Sequence, residues 1–222
     1  MQQTITEFFP ASYGSTKHVT VEAIEKAGSF SLFDKSTCEQ AVQQEANLKK
    51  TICIANCNQE VAKFKSGSTT YIINHEEYLS NFKKPAIARG GRCDSLIYND
   101  QTIAFVEMTC SAESAIEDMT KVDGAFKPGK RAVAYNQLEQ SISRMRFVPQ
   151  INNKIDSFAN RLAIFACRMK NVASTANPEE KPANNMTIFG KFTDSADANT
   201  GFKDMGNGFM FKMVRYPEEI CI

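Results

Sequence analysis

The sequence predicts an α/β fold in which a helix covers a β-sheet, and three stretches carry that prediction. Cys93–Tyr98 and Thr102–Thr109 are short apolar runs separated by the turn pair Asn99-Asp100, so they read as a β-hairpin. Arg131–Phe147 places Ala134, Leu138, Ile142 and Met145 on one stripe, the pattern of a long helix with one buried face. Arg161–Cys167 returns to strand alternation, with Leu162, Ile164 and Ala166 set against Ala163, Phe165 and Cys167. A hairpin, a helix and a further strand pack as a sheet with the helix laid across it.

The elements around this centre follow from local signals. Thr4–Phe9 and Ser29–Phe33 read as short strands around a short helix at Val21–Ala27. Ser36 or Thr37 caps a helix over Cys38–Lys50, where Ala41, Glu45 and Leu48 fall at helical spacing. Ile52–Ala55, Val61–Lys65 and Thr69–Ile73 read as strands separated by Asn56-Cys57-Asn58 and Ser66-Gly67-Ser68. His75–Phe82 is short and polar. Ser111–Asp123, with Glu113, Glu117, Asp118 and Asp123, reads as an exposed acidic helix or loop. Pro149 stops the long helix. Asn171–Met186 is a polar, Pro- and Asn-containing loop, and the tail holds aromatic runs at Ile188–Phe192 and Phe209–Val214, an edge hairpin or a lid. Residues 1–222 are expected to form one domain, with a core over about 38–170 and a loop and C-terminal strand extension over 171–222.

Composition bounds the function. A net charge of +1 argues against a generally basic nucleic-acid coat but leaves room for a local basic cleft. The N-terminus lacks a basic region followed by an apolar core, and no run approaches the roughly 20 apolar residues of a membrane span, so a cytosolic protein without membrane contact is expected. Seven cysteines with no CxxC pair, and only two histidines, predict buried free thiols rather than a zinc or redox site.

The chemistry-bearing residues lie in the hairpin. If paired positions sum to 199, Asp94 lies opposite Phe105, and Glu107 projects from the same face, diagonal to Asp94 and within reach of a shared ion. A three-residue loop would instead separate the two carboxylates. Two carboxylates and a backbone carbonyl, here that of Met108, hold Mg²⁺ while leaving other sites to water and a phosphodiester. The bland alternative is a strand-end cap and an ion pair, since the same register sets Arg92 opposite Glu107. Lys83, Lys84, Arg89 and Arg92 surround Gly90-Gly91, either a solvated loop or a phosphate contact.

Arg92-Cys93-Asp94, then Phe105-Val106-Glu107-Met108-Thr109, then Lys130-Arg131-Ala132 running into Asn136-Gln137-Leu138 and Ser141-Ile142, resembles the core of a PD-(D/E)XK nuclease-like protein of the small bacterial kind. The resemblance covers about fifty residues, with a weaker echo in Ile52–Arg92. It implies a mixed central sheet flanked by helices, a restriction-endonuclease-like core with extra N- and C-terminal strands. It implies Asp94, Glu107, the Met108 carbonyl and an acidic residue of the first helix, Glu45, as Mg²⁺ ligands, and Gln137 as the glutamine of the helix after the core strands. Where such proteins carry a lysine, two residues after the glutamate, this chain has Thr109, whose hydroxyl can hydrogen-bond a phosphate or water but supplies no positive charge. Lys130 is the replacement cation of choice, ahead of Lys121 and Lys127. Arg89, Arg92, Lys127 and Lys130 are the expected nucleic-acid contacts. The implied function is a Mg²⁺-dependent nuclease of bacterial or phage genome defence or repair, acting on DNA before RNA, with a homodimer left open. The alternative is a degenerate nuclease-like module that binds a protein or nucleic-acid partner.

Overall fold

The structure is a computed structural model that describes residues 1–13, 19–33, 60–82, 91–120, 126–169 and 202–222. The predicted helix Cys38–Lys50 with Glu45, the strands Ile52–Ala55 and Ile188–Phe192, and Lys83, Lys84, Arg89 and Lys121 lie outside the described residues. Within them, an eight-stranded mixed sheet runs β1 (Ala23–Leu32), β2 (Ala62–Asn74), β3 (Ser95–Tyr98), β4 (Thr102–Ser111), β7 (Asn160–Met169), β9 (Met210–Arg215) and β8 (Lys203–Asp204), and β10 (Glu219–Cys221) pairs with β2. β5 (Met119–Thr120) and β6 (Phe126–Lys127) form a separate two-stranded ladder. The β1 to β4 ladders are antiparallel, whereas β4, β7 and β9 are parallel neighbours. The mixed sheet flanked by helices is therefore as the sequence implies.

The four α-helices of the described residues all have buried side chains in one core layer. Ile5 and Phe9 of α1 (Gln2–Ser12), Tyr78 and Leu79 of α2 (His75–Ser80), Leu138 and Ile142 of α3 (Lys130–Arg146), and Ile151 and Ile155 of α4 (Pro149–Asp156) pack with Leu96, Phe105 and Phe165 of the sheet. The opposite face gathers Phe64, Ile97, Ala104, Val106, Met108 and Ile164. Side chains of a strand alternate between faces, so burial on both sides explains why β3 and β4 read as continuous apolar runs.

Local corrections have physical reasons. Thr4–Phe9 is part of helix α1, not a strand, because Ile5 and Phe9 are four apart and both buried, a helical period hidden in a β-rich composition. Val21–Ala27 is not helical: from Ala23 it belongs to β1, along with most of the predicted strand Ser29–Phe33. Ser66-Gly67-Ser68 does not break β2. It forms a bulge, since Lys26 pairs with Thr70 but Gly28 with Ser66, and the Ser66 hydroxyl, which accepts from Ser68 N–H at 3.3 Å, supplies the bent backbone with a partner. Pro149 ends α3 and also starts α4, at a position where its missing N–H costs nothing. Most of Phe209–Val214 forms β9, which lies parallel to β7 and antiparallel to the two-residue edge strand β8.

The crossover from β4 to β7 carries α3 over both strands. Its start is fixed by the preceding chain: the Asp118 carboxylate accepts from Gly129 N–H at 2.7 Å, and Ile116 carbonyl accepts from Arg131 N–H at 3.0 Å. Asp118→Ala is expected to cost roughly 1 kcal/mol, read as a lower urea midpoint at unchanged slope. An unchanged midpoint would mean that the Asp118 bond to Gly129 N–H does not hold the start of the helix. Among the described residues no helix is long and apolar enough to cross a membrane.

Candidate functional site

The hairpin register differs from the expected one by two residues. Ser95 pairs with Val106 and Tyr98 with Ile103, so paired positions sum to 201 rather than 199. The reason is the turn: Asn99 N–H donates to Thr102 carbonyl at 2.9 Å, and the Asn99 side chain accepts from the N–H groups of Gln101 and Thr102, which closes the loop at Asp100-Gln101. A two-residue shift keeps every side chain on its face. Extended by one position, the ladder sets Asp94 directly opposite Glu107 instead of diagonal to it. The 199 register, which set Arg92 opposite Glu107, does not hold.

Directly opposed side chains on an antiparallel pair have Cβ atoms about 5 Å apart. Both residues are half-buried, and the Oε2 oxygen of Glu107 is fully buried. Two carboxylates so placed repel unless a cation or a shared proton compensates them. The Asp94 carboxylate is also oriented: its Oδ2 accepts from Met108 N–H at 2.6 Å. That bond fixes one oxygen and so the direction of the other. Asp94 carbonyl, in turn, accepts from His75 and Glu76 N–H at 3.0 and 3.3 Å, at the start of α2. Of Met108, the side chain points into the opposite core layer, so only its backbone belongs to the site.

The segment before Asp94 is tied to α3 and α2 by side chains. Gln137 donates to Arg92 carbonyl at 3.1 Å, the Ser141 hydroxyl accepts from Cys93 N–H at 2.9 Å, and Arg144 donates to Gly91 carbonyl. His75 Nδ1 lies 3.3 Å from both Cys93 carbonyl and Cys93 Sγ. Residues 137, 141 and 144 lie along one flank of a helix. Gln137 therefore reaches the site through the backbone that carries Asp94.

The remaining expected residues sit on α3, β6 and β4. Lys130 is exposed in the first turn of α3, two turns and about 10 Å along the axis from Gln137. Lys127 is exposed on β6. Thr109 shares the face of Glu107, two residues on, and its hydroxyl is 2.9 Å from that of Ser111. Sequence reasoning missed Arg215. Thr109 pairs with Cys167 and Cys167 with Arg215, so the three form one row across the parallel strands, the outer two about 10 Å apart. Arg215 also pairs with Glu113 at 3.3 Å. Nothing local could have signalled a cation 106 positions downstream. Burial pushes the Cys167 thiol up to about 11 and the Cys93 thiol well above its ordinary value, with Asp94 and Glu107 adding to the latter, so neither is a ready nucleophile. Cys93, Cys110, Cys167 and Cys221 are free.

Among the described residues no three His, Cys, Asp or Glu side chains group so as to hold a metal by themselves. The donor set at Asp94 and Glu107 is of a different kind: hard oxygens from two carboxylates, which suits Mg²⁺, an ion that keeps several waters and shares its ligands with substrate phosphates. No protein-family model, curated protein or solved structure matches the chain.

Proposed function

We propose that this chain is a Mg²⁺-dependent nuclease, acting on DNA before RNA, with Asp94 and Glu107 as the metal ligands. The observation that carries the reading is the juxtaposition of the two carboxylates on the helix-covered face, with Asp94 held by Met108 N–H. Two carboxylates on one face supply the hard oxygens that a divalent cation takes, and the Met108 carbonyl is the expected third ligand. A bound Mg²⁺ supplies charge neutralisation for the phosphoryl oxygens and an acidified water. The chain's own residues do the rest: Asp94 and Glu107 orient the ion, the Thr109 hydroxyl aligns a phosphate oxygen or water, and Arg92, Lys127 and Lys130 bind phosphates along the strand. The charge that a lysine at position 109 would bring falls to Lys130 or, on the row of Thr109, to Arg215.

Cleavage of single-stranded, double-stranded and branched DNA and of RNA, with Mg²⁺ or Mn²⁺, tests the proposal. Asp94→Asn and Glu107→Gln are each expected to lower the rate about a hundredfold or more. Asparagine keeps an oxygen for Met108 N–H, so a loss at Asp94→Asn reports the charge. Thr109 favours a second reading, a degenerate module that binds a partner without cleaving. Absence of cleavage on all four substrates, with nucleic-acid or protein binding untouched by both substitutions, would establish the second reading over the first.

A further inference from the structure

Four backbone groups in three consecutive residues, the carbonyls of Gly91, Arg92 and Cys93 and the N–H of Cys93, find their partners in four different side chains, Arg144, Gln137, His75 and Ser141. Backbone in a sheet or helix is fixed by its own ladder; this strap is fixed by side chains of α2 and α3. Ser141 is the most constrained of them. It is fully buried, on the helix stripe where an apolar residue would be ordinary, and its oxygen accepts from Cys93 N–H at 2.9 Å. Without that oxygen a buried N–H is left without an acceptor and the strap gains freedom to rotate, one residue from Asp94.

We infer that Ser141 is a positioning residue for the Asp94–Glu107 pair: through Cys93 N–H it sets the strap so that the Asp94 carboxylate meets Met108 N–H and faces Glu107. As far as metal affinity is concerned, the inference rests on the nuclease reading above; the placement of Asp94 does not. Gln137 acts in the same way through Arg92 carbonyl. It is thus a positioning residue as well, and does not need to touch the reacting atoms.

Two measurements on the full chain separate these points. Hydrogen exchange of the Met108 amide without metal reads whether Asp94 is in place, since that amide donates to its carboxylate. Calorimetric titration with Mn²⁺ reads the affinity of the pair. Ser141→Ala is expected to speed Met108 exchange and to weaken Mn²⁺ binding about tenfold, the usual effect of losing a supporting hydrogen bond behind a ligand. Ser141→Thr, which keeps the hydroxyl, is expected to restore both. Ile155→Val, in the core under α4, serves as a control for lost stability and is expected to leave both unchanged. Should Ser141→Ala fold poorly, Gln137→Met is expected to move both readouts in the same direction. Unchanged Met108 exchange in Ser141→Ala or Gln137→Met overturns the positioning role. Wild-type protein that binds no Mn²⁺ overturns the metal reading, while Met108 exchange still decides the placement of Asp94.

Discussion

Gly129→Ala is expected to destabilise the protein by about 3 kcal/mol, the upper end of what an extra buried methyl costs where the surroundings cannot yield. A Cβ at this position would run into backbone, the carbonyl of Ile116 and the peptide of Glu117. Backbone has no rotamer to retreat into. Relief would require prising the 116–118 segment off the start of α3, with loss of the Asp118 and Ile116 contacts that hold it. Gly91 makes the comparison instructive: a Cβ there would meet the side-chain ends of Gln140 and Arg144, which can swing aside, so Gly91→Ala is expected to cost less. At Gly67 a Cβ would meet nothing, and alanine should be near neutral. Urea unfolding of the three variants checks the order. Equal midpoints for 129 and 67 would mean that the acidic segment does not pack on the helix as described.

Acidification from pH 6.5 to 4 is expected to remove about 3 kcal/mol of stability through His75 alone. The ring is fully buried at the start of α2, edge-on to Phe105, and its Nε2 has no hydrogen-bond partner among the described residues. Burial pulls its pKa from 6.5 down to about 4; the bond toward Cys93 carbonyl opposes this, and the cations of Arg144 on α3 and Arg92 on the strap reinforce it. The Cys93 thiol that also faces it is neutral. Above pH 6.5 the imidazole is neutral in folded and unfolded chains alike, and the stability is fully present. Between 6.5 and 4 the unfolded chain takes up a proton that the folded chain refuses, so stability falls as pH falls. Below 4 both are protonated and this contribution levels off. The difference in unfolding free energy between wild type and His75→Phe, followed across that range, isolates the effect. A difference that does not vary with pH would show that His75 is not held neutral.

Strong periodicity was readable in the sequence. The long helix was visible because Ala134, Leu138, Ile142 and Met145 repeat at its period, and all four are buried. β7 was visible from its alternation and the hairpin from Asn99-Asp100. Misreadings arose where a local signal had a second meaning: Ser66-Gly67-Ser68 as a bulge instead of a break, Pro149 as a beginning as well as an end, Ile5 and Phe9 as a helical pair in a strand-like composition. At the site, parity was enough to put Asp94 and Glu107 on one face, since a two-residue shift preserves it. Whether they were opposed or diagonal depended on side-chain bonds of Asn99 inside the turn, which spacing does not encode. His75, Ser141, Arg144 and Arg215 were illegible as neighbours of the hairpin because only tertiary packing brings them there.

The bonds that tie the strap to α3 join residues 45, 48 and 53 positions apart in the chain. In a partly folded intermediate that contains the hairpin alone the strap before Asp94 lacks these partners; it is held only when the crossover helix docks. An ion that needs both carboxylates in register would therefore bind the docked state and hardly at all the open one, so its full binding free energy would add to the cooperativity of folding. Conversely, a sub-global opening that lifts α3 would release the ion while β3 and β4 were still paired. In this protein the site would be lost before the sheet that carries it.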